Sequence, residues 1–398
     1  MYKTWVEIDA NALRANIRCI REAIGAGREI VLIVKSDAYG HGAQSVAGIA
    51  SEEGVGRFAV AAVTEGQDLR AAGITGEIVL LHPPLPFEID DCIRANLSPA
   101  ISSIENARLL SDAATVGPVG VHVEVNTGIN RLGLDWQTAP ASIRDIAKLP
   151  NIEIRGVFTH FRGIDPSDSS SIDQQLQRFE QVVQDVRKAG INPGLVHAAS
   201  SHALSRFSRS HLSAVRPGMI MYAGLDPRSP ILDPPNGSTS PIQSMTGIMS
   251  VYSRVLHCRR VAAGEWIHYG ETFQAECPMT VAIIPIGYGM GYSRHYSNNA
   301  DMLIHGRRVP IVGVVGMDMT VVDITAIPDV AVGDRVTIMG RDGNEHISAF
   351  ELAERSGTIP YEVVCRLGNG LPREVVNAEA PTSTVRTIRP AIIEATHR

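Results

Sequence analysis

The chain has 398 residues, of which 44% are hydrophobic and 20% charged, with a formal net charge of −6. That length and apolar content suit two domains with sizeable cores, and dispersed, mildly acidic charge argues against nucleic acid as a partner. The five scattered cysteines lack CxxC spacing, and no run reaches the roughly 18 apolar residues of a membrane span. The expectation is a soluble cytoplasmic enzyme with no export signal, no membrane partner, no disulfide framework and no zinc cage.

The N-terminus reads as a strand and then a helix over Asn11–Ile24. From Asp9 to about Pro217, short apolar runs alternate with amphipathic segments, the pattern of repeated strand–helix units. Eight runs are counted: Ile30–Val34, Phe58–Val63, Ile78–Leu81, Leu97–Ile101, Val119–Val125, Ile154–Phe158, Leu195–His197 and Ala214–Val215. Helical candidates lie between them, including Ile143–Leu149 and Ile172–Ala189. Eight parallel strands with intervening helices predict a (β/α)8 barrel of the TIM type, with its site at the C-terminal ends of the strands. An open doubly wound sheet is the competing architecture.

The run PRSPILDPPNGSTSP, Pro227–Pro241, can continue neither helix nor central strand and predicts a domain boundary. The division expected is a barrel over 9–240 and a mostly-β domain over 241–398, joined by residues 1–8. The second domain's strands are read at Met249–Leu256, Met279–Ile286, Val309–Val315, Thr320–Ile324 and Arg335–Met339. Ser348 with Glu351 forms a capping box for a helix ending near Arg355. The tail after Pro372 has no strong periodicity and is assigned nothing.

Lys35 closes the apolar run Val31–Val34 and precedes the glycine-containing turn DAYGHG. Lysine is seldom buried unpartnered, and desolvation would lower its amine pKa and make it a better nucleophile toward an aldehyde. Further polar groups follow other predicted barrel strands: Tyr39 after the first, Arg131 after the fifth, His160 at the sixth, Ser201 after the seventh, and Arg216 with Gly218 after the eighth. One mouth holding an amine, two guanidiniums, an imidazole and a glycine that lets an anion approach suits a phosphorylated aldehyde cofactor.

These residues lie in an ordered series of motifs: TWVEIDANALRAN at the start, VKSDAYGHG, NTGINRLG (126–133), GVFTHF (156–161), VHAASS (196–201), VRPGMIMYAG (215–224), HYGETF (268–273), PIGYGMGYSR (285–294) and GMDM (316–319). In order and separation, over nearly the whole chain, the series resembles the alanine racemases. Those enzymes depend on pyridoxal 5'-phosphate and have an N-terminal barrel and a C-terminal β domain. The resemblance implies that Lys35 holds the cofactor as a Schiff base and that Tyr39, Ser201, Gly218 and Met219 surround its phosphate. It also implies that His160 packs beside the ring, and that Arg131 sits near the cofactor's phenolic oxygen and the substrate carboxylate.

Arg216 would face the pyridine nitrogen. An arginine does not give up its proton to the ring, so the electron sink is weaker than with an acidic partner, which disfavours transamination. Racemisation needs a base on each face of the α-carbon. Lys35 is one, and by resemblance Tyr269 is the other, reaching the mouth of the opposing subunit's barrel in a homodimer with shared active sites. Tyr288 and the backbone of Met317 with Asp318 complete the end that binds a small amino acid. The implied role is interconversion of L- and D-alanine, commonly for peptidoglycan.

The chain departs from the pattern at three positions. Glu124 stands where relatives often carry a carbamylated lysine, and a glutamate there would offer Arg131 a built-in carboxylate. The alternative is a strand glutamate facing solvent. Gly316 replaces a frequent cysteine, and Asn369 replaces a tyrosine or proline near the substrate entrance, changes that open serine or broader specificity as an alternative. A decarboxylase of basic amino acids would place a glutamate at the Arg216 position, and a non-catalytic cofactor carrier would lack the β domain. Gly287, Gly289 and Gly291 only superficially suggest a dinucleotide loop, and the histidines form no metal-ligand motif.

Overall fold

A computed structural model describes residues 2–163, 170–225 and 240–378. Those described residues divide into two compact units, one within Leu13–Ala38 with Ala43–Thr246, the other from 2–12, Tyr39–Gly42 and 247–378. Of the proline-rich run expected between domains, only Ser240 and Pro241 fall within the described residues.

In the first unit, eight parallel strands form a ring: β1 (Glu29–Ile33), β2 (Arg57–Val60), β3 (Glu77–Leu80), β4 (Leu97–Ile101), β5 (Val119–Asn126), β6 (Ile152–Phe158), β7 (Leu195–Ser200) and β8 (Ala214–Arg216). Each pairs with the next in sequence, and the ring closes where Ala214 pairs with Glu29. This is the expected barrel, and its closure removes the open-sheet alternative. Strands enclosed on both faces are read as unbroken apolar runs rather than alternating ones, and β4 is buried at all five positions.

The helices follow the 3.6-residue period. Ala10–Ile24 buries Leu13, Ile17, Ile20 and Ile24 on one face, and Asp9 Oδ1 accepts from the Asn11 and Ala12 amides at its start. Ser170–Lys188 buries Ile172, Leu176, Phe179, Val183 and Val186.

In the second unit, Trp5–Asp9 lies inside a mixed sheet, antiparallel to Met249–Arg254 and parallel to Arg373–Val376. Arg335–Asp342 and the hairpin Asp301–Ile304 with Arg307–Pro310 extend the other side. A separate sheet of His257–Val261, Met279–Ile284 and Thr320–Asp323 closes over Val261, Ile267, Ala275, Val281 and Val312. The run expected as one strand over Val309–Val315 leaves the sheet after Pro310. The capping box is half made: Ser348 Oγ accepts from the Glu351 amide at 3.1 Å, but the Glu351 carboxylate bonds Arg308 at 2.6 Å.

Candidate active site

Lys35 follows β1 after one residue, Val34, and the next residues do something no local signal predicts. Ser36, Asp37, Ala38 and Tyr39 have φ of 51°, 54°, 52° and 54°, so the helical turn Lys35–Gly40 is left-handed. For residues with a Cβ this costs roughly 1–2 kcal/mol each, and such strain survives only where neighbours over-determine it. Here the Ala38 amide bonds Val34 O at 2.8 Å, the Ser36 amide bonds Glu65 Oε1, and Asp37 Oδ1 accepts from the Ala43 amide at 2.7 Å. Lys35 is thereby set at the C-terminal end of β1, half-buried.

Arg216, at the end of β8, is 4% exposed. Its Nη1 donates to His197 Nδ1 at 2.9 Å, and its Nη2 donates to Thr159 O at 2.8 Å and Ala198 O at 3.1 Å. Burial pulls its pKa down to about 10, with Glu124 opposing and Arg131 assisting. His160 Nδ1 lies 3.4 Å from Arg216 Nη2. Burial and then the charges of Arg216, Arg131 and Lys35 push this imidazole down to about 3, so it is neutral at physiological pH.

Ser201 opens the helix Ser201–Arg206, and its Oγ accepts from the Gly218 amide at 2.9 Å and the Ile220 amide at 3.4 Å. Gly218 caps the short helix Met219–Ala223, and Met219 is buried. The Ser201 hydroxyl and the Gly218 and Ile220 amides thus lie together at two helix starts; the hydroxyl accepts from both amides, and a phosphate would suit them as an alternative acceptor. With the half-buried amine and the neutral imidazole, these residues fit a phosphorylated aldehyde.

Glu124, near the end of β5, is 2% exposed, which rules out the solvent-facing alternative. The expected pairing with Arg131 is corrected in one respect: no hydrogen bond joins the two among the described residues, and Glu124 Oε2 has no hydrogen-bond partner. Arg131 is exposed and acts across space. Burial raises the Glu124 pKa while the charges of Arg131 and Arg216 hold it down.

The remaining expected residues lie in the second unit. Tyr39 belongs to it; its ring meets Tyr361 edge-on at 5.7 Å, and burial, Tyr361 and Cys365 raise its pKa, keeping the phenol protonated and able to donate. Tyr269 is 73% exposed, with its ring 4.7 Å from His268 and perpendicular to it. The Tyr288 amide bonds Gly316 O at 3.0 Å and the Gly289 amide bonds Met317 O at 2.9 Å, which places Tyr288 beside the Gly316–Asp318 turn. Asp318 is exposed and acts electrostatically on His268. Asn369 is exposed near the end of the helix Pro360–Gly370.

Sequence reasoning singled out neither His197 nor His122 nor Glu77. His122 Nδ1 lies 3.0 Å from His197 Nε2, and His122 Nε2 lies 3.3 Å from Glu77 Oε1. The available signal was one polar ring in the apolar run VGVHVEV, since a buried polar group requires a partner.

Family models described as the alanine racemase N-terminal domain and C-terminal domain match residues 8–226 and 248–375. Among curated relatives, the alanine racemase of Halothermothrix orenii is 36% identical, covering 94% of this chain and 97% of its own. That of Methanococcus maripaludis is 37% identical, covering 93% and 97%. Among solved structures, alanine racemase from Clostridium difficile 630 is 30% identical with a TM-score of 0.86, covering 94% of this chain and 96% of that one. The Bacillus anthracis alanine racemase with bound L-Ala-P is 33% identical with a TM-score of 0.84, covering 95% and 96%.

Proposed function

The chain belongs to the alanine racemase family, and on that premise we propose that it interconverts L- and D-alanine using pyridoxal 5'-phosphate, with Lys35 and Tyr269 as its two bases. The observation that carries this reading is the convergence at one barrel mouth of Lys35 on its strained turn, buried Arg216 and neutral His160.

The cofactor, when bound, supplies an electron sink that makes the α-proton of the amino acid removable. By resemblance, Lys35 would hold its aldehyde carbon, and Ser201 Oγ, the amides around Gly218 and Met219 and the Tyr39 hydroxyl would hold its phosphate. Arg216, at about 10, keeps its proton at neutral pH and would hold the ring nitrogen without protonating it. His160 would pack beside the ring as a neutral group, and Arg131 would hold the substrate carboxylate with Glu124 as countercharge.

Lys35 moves the α-proton on one face and the Tyr269 oxygen moves it on the other. Tyr269 serves the barrel of a second copy, with Tyr288, Met317 and Asp318, in a homodimer; the exposure of Tyr269, Tyr288 and Met317 supports this. A Cβ at Gly316 would lie 3.0 Å from His268 Cε1, so the missing side chain makes room for His268 rather than for a larger substrate, which favours alanine over serine. No helix among the described residues is long and apolar enough to cross a membrane; cytoplasmic supply of D-alanine for peptidoglycan is the role proposed.

Borohydride reduction of the chain with pyridoxal 5'-phosphate, followed by peptide mapping, tests the assignment. The adduct is expected on Lys35. Tyr269→Phe should lose about 10²–10⁴-fold in kcat, and adduct formation elsewhere or full turnover in that variant would end the reading.

A further inference from the structure

The contacts of Arg216 do not stop at the mouth. A guanidinium can only donate, so His197 Nδ1, 2.9 Å from Arg216 Nη1, must present a lone pair. His197 therefore carries its proton on Nε2 and donates it to His122 Nδ1 at 3.0 Å. That nitrogen must in turn be bare, which puts the His122 proton on Nε2, pointing to Glu77 Oε1 at 3.3 Å. One direction of donation runs from the mouth down to the first residue of β3, and no other assignment of ring protons satisfies all three contacts.

The far end is fixed as well. Glu77 Oε1 accepts from Ser98 Oγ at 2.9 Å, and Oε2 accepts from Arg57 Nε at 2.8 Å. Arg57 also pairs with Glu29. Both histidines are fully buried, and His197 is stacked on Phe158 at 5.0 Å with Arg216 5.3 Å from the same ring. Burial and the charges of Arg216, His122 and Arg57 drive the His197 pKa well down, consistent with a neutral ring.

The geometry points to Glu77, through His122 and His197, as the positioning residue for Arg216: a partly buried carboxylate that holds, from the far end, the two histidine tautomers whose lone pair meets the guanidinium. Without that acceptor the order is held from the Arg216 end alone, and the His122 tautomer with its proton on Nδ1 becomes accessible. In the wrong tautomer it confronts His197 with a second N–H, which forces His197 to place its own proton against Arg216. A residue at the floor of the barrel thereby governs the group proposed to hold the cofactor's ring nitrogen. The effect on turnover rests on the proposed function; the tautomers do not.

The test is side-chain ¹⁵N NMR of the histidine-labelled full chain, with and without added pyridoxal 5'-phosphate, the two rings being assigned by His122→Gln and His197→Asn. Both rings should show the pattern of a proton on Nε2 alone; either ring protonated on Nδ1 would overturn the proposal. Glu77→Leu should leave His122 as a mixture of tautomers, shift the absorption maximum of bound cofactor, and lower kcat about tenfold with KM within twofold. Glu77→Gln, which keeps an acceptor oxygen, should restore the tautomer and most of the turnover. Unchanged tautomers and kcat in Glu77→Leu, or no rescue by Glu77→Gln, would also overturn it. A chain that binds no cofactor yet shows the two Nε2 protons would instead count against the proposed function alone.

Discussion

A methyl group built at Gly156 would lie 2.3 Å from His122 Nδ1. The same Cβ would also come within 2.9 Å of Leu195 O. The ring is held by hydrogen bonds at both nitrogens and the carbonyl belongs to β7, so neither can yield without breaking something else. Gly156 is thus the residue of β6 that makes space for a histidine inside the barrel.

Gly156→Ala should accordingly destabilise the chain by about 1–3 kcal/mol, the range for overpacking a core. Gly120→Ala is the control. Its Cβ would lie 2.2 Å from Arg155 Nε, but the Arg155 side chain is 35% exposed and can swing away. Urea unfolding of both variants should show the larger loss at position 156, and equal losses would contradict the argument.

Glu124 sets function against stability. Its raised pKa means that the folded state disfavours the carboxylate, so stability present below the usual glutamate pKa is lost as pH rises through the folded value. Glu124→Gln removes the titrating group, so the loss of stability that Glu124 causes between pH 5 and 7 should disappear. It also removes the countercharge shared by Arg131 and Arg216, so KM for alanine should rise about tenfold with a smaller change in kcat. Steady-state kinetics and urea midpoints at pH 5 and 7 check both signs, and an unchanged KM would remove Glu124 from the substrate site.

Acid sensitivity follows from neutral histidines. His160 is held at about 3 and His202 at about 4, both by burial first, against an unfolded value of 6.5. Between those values the unfolded chain binds protons that the native chain refuses, so stability is full above pH 6.5 and falls as pH drops. Each refused proton contributes a slope of about 1.4 kcal/mol per pH unit. Glu77 adds a second window: burial alone would raise it, but hydrogen bonds led by His122 bring it to about 2, so its contribution is lost between 4.5 and 2. Urea midpoints from pH 7.5 to 4 should fall steadily from about pH 6.5, and a flat profile down to pH 5 would contradict the burial of these rings.

The barrel was legible because a strand covered on both faces must be apolar end to end, and each of the eight runs lies on a strand within a few residues of its ends. The strand Arg373–Val376 was not. Its four residues, REVV, show no alternation and are held by parallel pairing with Trp5–Asp9, which only the folded chain brings near. The hairpin at Ile304–Arg307 had a signal that went unread: His305 and Gly306, at φ of 50° and 71°, make the two-residue turn that a His-Gly pair permits. Among the candidate site groups, Lys35, Arg216 and Ser201 were readable from chemistry at strand ends. The path from His197 through His122 to Glu77 was not, because its links come from three different strands.

The left-handed turn carries the last prediction. Ser36 is exposed, so trimming its side chain removes little packing, and glycine adopts its φ of 51° without the Cβ clash. Ser36→Gly should raise stability by about 0.5–1 kcal/mol, the strain relief partly offset by the greater entropy of an unfolded glycine. If the strain fixes the direction in which Lys35 is presented, the same change should lower kcat severalfold, because a turn that can relax no longer holds the amine in one place. Asp37→Gly is the contrast: it relieves a similar φ but loses the bond to the Ala43 amide, so its gain in stability should vanish or reverse. A Ser36→Gly variant less stable than the parent, or more stable with undiminished kcat, would separate the strained backbone from the work of Lys35.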